Sequence, residues 1–270
     1  MLKDITIGQY FPGKSPIHRM DSRMKIVLTI AFIVMLFMSH NFYSLSIGII
    51  FTLFTYLISG IPFKMILKSL KPILPIIIFT SLLNILFIRT GEVYWEWKII
   101  KITSDGVDTA LFMTIRIVCL IIGSSLLTYT TSPIDLTDGI EKLLSPLKKI
   151  RVPVHELAMM MTIALRFIPT LIEETDKIMA AQKARGADME TGSIFKRAKA
   201  LIPILIPLFV SSFRRAEELA LAMECRCYHG GEGRTRMKQL KMHFVDLAAF
   251  LTVAAFIAGV VAVNIITKGA

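Results

Sequence analysis

The feature that most constrains this chain is a long stretch, residues 26–63, that contains no Asp, Glu, Lys or Arg. As one α-helix it would be about 57 Å long, nearly twice the hydrocarbon thickness of a bilayer. The polar sequence Ser39-His40-Asn41 lies near its middle. The stretch therefore predicts two membrane-spanning helices joined by a tight turn.

Three further apolar stretches have about the length of a membrane helix, namely residues 72–88, 107–129 and 247–267. Hydrophobic residues make up 54% of the chain, and its mean hydropathy is +0.64. These features predict an all-α integral membrane protein with about five transmembrane helices. Arg116 lies inside the fourth of them and should face protein or water. We expect its partner to be Asp108, two turns earlier, or an acid on the cytoplasmic side.

The charge of the chain, formally +11, is spread beside the apolar stretches. Such placement follows the positive-inside rule and argues against nucleic acid as a partner, since nucleic-acid-binding proteins gather basic residues on one soluble face. Residues 1–25, 64–71 and 133–243 are net positive, and we expect residues 64–71 to form a basic loop. We therefore expect a multi-pass membrane protein with a cytoplasmic N-terminus and an external C-terminus.

The same pattern divides the chain into four parts. We expect a cytoplasmic N-terminal segment over residues 1–25 and four transmembrane helices over residues 26–130. A cytoplasmic or interfacial module of long amphipathic coupling helices follows over residues 131–243, and the last transmembrane helix over residues 244–270.

Helical periodicity within the third part predicts three elements. The first is a short amphipathic helix over residues 133–147. The second begins at Pro153, should be kinked by Pro169, and ends near residue 184. We expect its half before Pro169 to lie at the membrane interface, because charge returns within a few turns on each side. The third, from about residue 194, should be broken by Pro203 and Pro207, with a new helix from Leu208.

Two short basic sites of similar build end the long helical patterns. They are Ala184-Arg185-Gly186 and Cys225-Arg226-Cys227, each with one arginine between two small residues. Either arginine alone is explained by the favourable position of a cation in a last helical turn, with Gly186 as an ordinary C′ glycine. Small neighbours, however, let an arginine enter a groove on another protein. The recurrence of the pattern favours a docking function.

Other motifs carry little weight. Residues 8–15 match the phosphate-binding P-loop pattern, but no buried strand precedes them and prolines interrupt them. Cys225, Cys227 and His229 do not have the spacing of a zinc site. The histidines are scattered, and no paired acids lie within an apolar stretch. We therefore expect no metal, no cofactor and no enzymatic activity.

The N-terminal segment and the two arginine sites together resemble one family, the transmembrane (T) component of energy-coupling factor transporters, a branch of the ABC systems. The resemblance rests on Gly8-Gln9-Tyr10 with Ser15, on residues 18–25 (HRMDSRMK), and on the two sites at the ends of the coupling helices. The family usually has Leu and Pro where this chain has Met20 and Ser22, and alanine or glycine where it has the two cysteines.

The resemblance implies that each arginine site docks into a groove of one of two cytoplasmic ATPases. It also implies that the coupling helices grip a separate membrane subunit that captures a vitamin or other micronutrient, and several such subunits could exchange. Methionine is flexible and suits surfaces that accept several partners. We expect this grip to use Met160, Met161, Ala164, Met179 and Met223.

Two other functions are compatible with an apolar, multi-helix chain. A conventional ABC importer permease would present one short coupling helix to one ATPase, whereas this chain has two unlike arginine-tipped helices. A membrane-embedded enzyme would need clustered His, Asp or Glu at the interface, which the sequence lacks. The sequence therefore favours the energy-coupling subunit.

Overall fold

The fold is described from a computed structural model, in which residues 10–97, 100–187, 193–230 and 240–269 are described. These residues are mostly helical, which confirms the predicted all-α class. Contacts within the chain define two compact units. Of the described residues, one unit comprises 10–97, 100–139 and 240–269, and the other comprises 140–187 and 193–230.

The first unit is a bundle of membrane-type helices with one small hairpin. Its elements are α1 (Pro16–Arg19), α2 (Ser22–Met38), α3 (Phe42–Ser59), α4 (Phe63–Leu70), α5 (Leu74–Phe87), β1 (Val93–Trp97), β2 (Ile100–Thr103), α6 (Ser104–Thr130) and α10 (Phe244–Gly269). The helix α7 (Pro133–Leu144) continues from this unit into the other.

The turn predicted near the middle of the charge-free stretch separates α2 from α3. Asn41 is the N-cap of α3. The Ser44 hydroxyl accepts a hydrogen bond from the Asn41 backbone N–H at 3.2 Å, and this bond completes a capping box. The hydroxyls of Ser39 and Ser44 are also hydrogen-bonded to each other at 2.9 Å. The polar side chains thus satisfy backbone groups at the helix ends, and the prediction of two helices is confirmed.

The core of this unit forms where α2, α3, α6 and α10 meet. Phe32 of α2 is 4% exposed and stacks near Phe51 of α3, with ring centroids 5.5 Å apart. Gly123 of α6 lies so close to the Phe32 ring that a Cβ atom there would overlap it. A small residue at the crossing lets the two backbones approach, as is common among membrane helices.

The third predicted span is a bent helix pair. α4 and α5 meet at an angle of 58°. Residues 64–71, predicted as a basic loop, are therefore mostly helical, which corrects that expectation. The hydroxyl of Tyr129 donates to the Met65 carbonyl at 3.1 Å and contacts the Ser69 hydroxyl, so α6 holds α4 in place.

The segment between α5 and α6 contains an element that the sequence did not predict. β1 and β2 pair as an antiparallel hairpin, with Val93 opposite Thr103 and Trp97 opposite Ile100, and the register shifts between Val93 and Trp95. The Ser104 N–H donates to the Glu92 carbonyl at 2.8 Å and closes the hairpin onto the start of α6.

Arg116 faces protein, as predicted, but among the described residues it contacts neither of the expected partners, Asp108 or a cytoplasmic acid. Its guanidinium donates to the Ser39 carbonyl, where α2 ends, and lies 4.6 Å from the centroid of the Phe112 ring. A helix C-terminus carries unpaired carbonyls and a partial negative charge. A backbone acceptor therefore takes the place of the expected carboxylate.

The second unit is built on two helices of equal length that pack together, α8 (Val154–Ala184) and α9 (Ile194–Glu224). A 3₁₀ segment, Ser145–Ile150, precedes α8. α8 is continuous through Pro169. The predicted break of α9 at Pro203 and Pro207 was wrong, because the structure has one continuous helix there.

One reason why α9 continues through Pro207 is that a side chain of α8 replaces the backbone donor that this proline lacks. A proline lacks the N–H that would bond the carbonyl four residues earlier, which here belongs to Pro203. The side-chain amide of Gln182 on α8 donates to that carbonyl, at a long distance of 3.4 Å. A neighbouring helix thus supplies a substitute donor.

Among the described residues, four helices are each long and apolar enough to cross a membrane, α3, α6, α8 and α10, and the α4–α5 pair would be one more span. α2, with 17 residues, is about 26 Å long. Each of the five predicted spans therefore corresponds to a helix or a bent pair. α8 is an additional helix of sufficient length, and its interfacial location stays a prediction.

Candidate functional site

The first arginine site is a tight turn that ends α8. The Gly186 N–H donates to the Lys183 carbonyl at 3.0 Å, and the Ala187 N–H donates to the Gln182 carbonyl at 3.0 Å. Gly186 has φ +84°, in the left-handed region. These two bonds and this conformation define a Schellman motif with a C′ glycine. Arg185 is the residue immediately before the left-handed position.

The second arginine site has the same backbone turn. The Cys227 N–H donates to the Glu224 carbonyl at 2.8 Å, and the Tyr228 N–H donates to the Met223 carbonyl at 3.1 Å. Cys227 has φ +54°, so it takes the place that Gly186 holds in the first turn. Arg226 again immediately precedes the left-handed residue. A side chain other than glycine is strained there by about 1–2 kcal/mol.

The two turns therefore present their arginines in the same way. Arg185 and Arg226 are both exposed, and Ala184, Cys225 and Cys227 beside them are exposed as well. Within the described part of the chain, neither guanidinium has a hydrogen-bond or ion-pair partner. The sites are ordinary helix ends in their backbone geometry, yet each exposes a guanidinium between small residues.

The packing of α8 against α9 fixes where the two turns lie. Glu174 accepts a hydrogen bond from the Ser211 hydroxyl and forms an ion pair with Arg215 at 2.6 Å. Further along α8, Gln182 contacts Pro203. Later residues of α8 thus meet earlier residues of α9, so the helices are antiparallel. The turn at Arg185 lies near the start of α9. The turn at Arg226 lies about 35 Å away, at 1.5 Å per residue along α9 from Pro203.

The predicted partner-contact residues divide into two groups. Met160, Met161 and Ala164 are exposed and, with Leu157, form one stripe at helical spacing on α8. Met179 and Met223 are only half-buried. The structure therefore does not gather all five on one exposed surface.

A larger apolar stripe on α9 was not assigned from the sequence. Its members recur three or four residues apart, and all are exposed: Ile202, Leu205, Ile206, Phe209 and Phe213. The sequence pattern predicted a helix break at Pro203 and Pro207, so residues on the two sides of the break were not placed on one helical face. A contiguous exposed apolar stripe of this kind marks a surface for a partner or a membrane.

The N-terminal motif has a structural role in the first unit. Asp21 caps α2 by accepting the Arg23 N–H at 2.9 Å, and its carboxylate pairs with the Arg23 guanidinium at 2.7 Å. The Asp21 N–H donates to the buried Asp246 of α10 at 2.9 Å. Lys25 donates to the Thr130 carbonyl at 2.8 Å, where α6 ends. The motif thus ties α2, α6 and α10 together at one end of the bundle.

The electrostatics of this cluster favour a charged Asp21. Burial alone would raise the pKa of Asp21, but the hydrogen bonds and charge of Arg23 outweigh burial and hold that pKa below its usual value. Asp21 therefore remains an acceptor for Arg23 at neutral pH. Its contacts with Arg23 and Asp246 give it a structural role.

The described residues show little sign of a metal or nucleotide site. Among them, no three His, Cys, Asp or Glu side chains converge to hold a metal ion. Of the P-loop-like segment, Gly8 and Gln9 lie outside the described residues. Ser15 caps the four-residue helix α1, so the described part of the segment does not lead from a strand into a long helix.

Comparisons with known proteins agree with this architecture. The model of the family described as CbiQ, cobalt transport protein, matches residues 13–237. A protein of Ruminiclostridium cellulolyticum named energy-coupling factor transporter transmembrane protein EcfT is 56% identical over 247 residues, 92% of each chain. Proteins of the same name are 57% identical in Clostridium kluyveri, over 93% of each chain, and 48% identical in Bacillus subtilis, over 89% of this chain and 91% of that one.

Proposed function

Because the chain belongs to the family of transmembrane components of energy-coupling factor transporters, we propose that it couples two cytoplasmic ATPases to a separate membrane subunit. The ATPases would drive the motion, and the membrane subunit would capture a vitamin or other micronutrient. This chain would transmit the motion and bind neither ATP nor the transported molecule.

The observation that carries the proposal is the pair of matching turns at opposite ends of the antiparallel helices α8 and α9. Each turn presents one exposed arginine, whose guanidinium has no partner among the described residues. A separation of about 35 Å along α9 leaves room for a different protein at each turn. Ala184, Arg185 and Gly186 would dock one ATPase, and Cys225, Arg226 and Cys227 the other.

The chemistry of arginine suits this role. The guanidinium is a planar fork that donates two parallel hydrogen bonds to a carboxylate or to carbonyl groups in a groove. A hydrogen bond to a charged group contributes roughly 1.5–3 kcal/mol. Small flanking residues let the fork enter without a clash.

The exposed apolar stripes of α8 and α9 support a second partner, the substrate-capture subunit. Met160, Met161 and Ala164 belong to the first stripe, and Phe209 and Phe213 to the second. The half-buried Met179 and Met223 would contribute if the helices adjust on binding. An apolar surface with flexible methionines suits several exchanging subunits. Since another chain would select the substrate, the cobalt of the family description is not assigned to this protein.

The side-chain contacts between α8 and α9 explain how a motion at the ATPases would reach the membrane. Glu174 joins the two helices through Ser211 and Arg215. Helices joined in this way move as one body or slide against each other in small steps, as in shear motions. Movement at either arginine would therefore displace the apolar stripes.

The orientation and division of the chain follow from its charge. We place the N-terminus, residues 1–25, and the coupling module, residues 131–243, on the cytoplasmic side, because both are net positive. The C-terminus would then be external. The protein lies in the cell membrane, in keeping with its family and its apolar helices.

The decisive experiment is recovery of the ATPases on pulling down purified variants, with transport measured in parallel. Arg185→Ala or Arg226→Ala should each weaken docking about ten- to a hundredfold at its own site. The remaining site would mask part of the loss through high local concentration. The double alanine variant should lose stable association with both ATPases.

Two comparisons sharpen this experiment. Arg214→Ala is a matched control, because Arg214 is an exposed arginine on α9 away from either turn. Lysine at the two docking positions should rescue poorly, since lysine keeps the charge but lacks the fork. If the double alanine variant keeps both ATPases and full transport, the arginines are only helix-end cations and the proposal fails.

A further inference from the structure

The 3₁₀ segment Ser145–Ile150, between α7 and α8, has an unusual distribution of apolar and basic side chains. Leu144, Leu147 and Ile150 are 41%, 38% and 76% exposed. In a 3₁₀-helix, side chains three residues apart lie above one another. The three side chains therefore form a single exposed apolar row.

Basic residues surround this row. Lys142, Lys148, Lys149 and Arg151 are exposed, and no Asp or Glu occurs between Glu141 and Glu156. Within the described residues, none of the four side chains has a hydrogen-bond or ion-pair partner. The segment thus combines an exposed apolar row with uncompensated positive charge.

The backbone holds the segment at both ends. The Arg151 N–H donates to the Lys148 carbonyl at 3.1 Å, and Arg151 has φ +62°. Beyond it, Val154 is 2% exposed, and His155 contacts Glu141 at 3.1 Å. The end of α7 and the start of α8 are thus tied together, and the apolar row is presented on a constrained turn between them.

We propose that this turn is a membrane anchor that binds anionic phospholipid headgroups at the bilayer surface. The apolar row would enter the boundary between headgroups and acyl chains, and the basic side chains would contact the phosphates. Near an anionic surface each Lys or Arg strengthens binding about fivefold. Along the chain only α7, about 18 Å long, lies between this segment and α6, a helix long and apolar enough to cross a membrane.

The anchor has a consequence for coupling. It fixes the start of α8 at the membrane surface, while the turn at Arg185 ends the same helix. When the far end of α8 moves, the helix would then pivot about its lipid-bound start. The anchor itself depends only on the turn and its charge, so its test does not require the ATPases.

The test uses the full chain in nanodiscs, with Cys119, Cys225 and Cys227 replaced and Ile150→Cys labelled with an environment-sensitive fluorophore. One set of nanodiscs contains phosphatidylcholine alone, and the other also contains phosphatidylglycerol. We expect blue-shifted emission in the anionic nanodiscs that high salt reverses. The K142Q/K148Q/K149Q variant should bind anionic lipid about a hundredfold more weakly.

A matched variant separates a local anchor from a general charge effect. K177Q/K199Q/R214Q removes the same charge from exposed positions on α8 and α9 and should leave the emission unchanged. Water-like emission in both lipids would overturn the proposal, and so would an equal shift in both that survives K142Q/K148Q/K149Q. A shift that appears only on adding the ATPases would assign the row to a protein contact instead.

Discussion

Arg215 of α9 donates to Glu174 of α8 at 2.6 Å, and the hydroxyl of Ser211, one turn earlier on α9, donates to the other oxygen of the same carboxylate. One side chain thus joins the two longest helices near their middle. The pair is partly exposed, 34% at Arg215 and 20% at Glu174, so water screens part of its attraction.

Removing this carboxylate should loosen the helix pair without unfolding the membrane bundle. We expect Glu174→Gln to weaken the α8–α9 contact by about 1 kcal/mol, since it loses the charge but keeps a hydrogen-bond acceptor. Amide hydrogen exchange of α8 and α9 should then be about fivefold faster. Glu173→Gln is the control, because Glu173 is exposed beside it.

A double-mutant cycle tests the pair itself. Glu174→Gln and Arg215→Gln together should loosen the helices by less than the sum of the two single changes. Strictly additive effects would mean that the two residues act independently, contrary to the contact.

The left-handed residue of the second turn provides another prediction. Cys227 has φ +54°, a conformation that glycine adopts without strain. Cys227→Gly should therefore stabilise this turn by about 1 kcal/mol, and Gly186→Ala should destabilise the other by a similar amount. Both effects can be measured by heating the protein and monitoring amide hydrogen exchange near each turn as the coupling helices unfold.

A neighbouring cysteine serves as control. Cys225 has φ −60°, an ordinary helical value, so Cys225→Gly should destabilise the helix end slightly. If Cys227→Gly and Cys225→Gly change stability in the same direction, the strain assigned to Cys227 is wrong.

The sequence predicted those features that local patterns determine. The lack of charged residues over residues 26–63 indicated membrane helices. The polar residues around Asn41 indicated where α2 ends and α3 begins, because capping depends on neighbouring residues. The arginine sites were found from their small neighbours. The left-handed conformation of Cys227 was not, since cysteine has no special preference for it.

Features that depend on distant residues were missed. The acceptor of Arg116 is a carbonyl of Ser39, which only the packing of α6 against the α2–α3 turn provides. Pro203 and Pro207 carry a strong helix-breaking signal, yet α9 continues, and a donor from α8 contacts the carbonyl that Pro207 leaves unpaired. Propensity is a weak guide where tertiary contacts compensate for its cost.

Membrane orientation is testable with single cysteines in a chain that lacks the three native ones. Cysteine at Asp105, which is exposed at the start of α6, should react with an impermeant thiol reagent on intact cells. Cysteine at Lys68, which is exposed on α4, should react only after the cells are opened. Labelling of Lys68→Cys alone on intact cells would invert the topology.

The exposed stripe of α8 gives the prediction that best separates the two kinds of partner. Met160 and Met161 are 56% and 45% exposed and lie on the stripe, away from both arginine turns. Replacing both with glutamate places charge in an apolar contact, at a cost of several kcal/mol if it stays unpaired. The membrane capture subunit should then be lost from the purified complex, whereas the ATPases should remain bound. Lys177→Glu, an exposed change on the same helix, should affect neither partner. Loss of the ATPases with the membrane subunit retained would contradict the assignment of the stripe to the membrane partner and of the arginines to the ATPases.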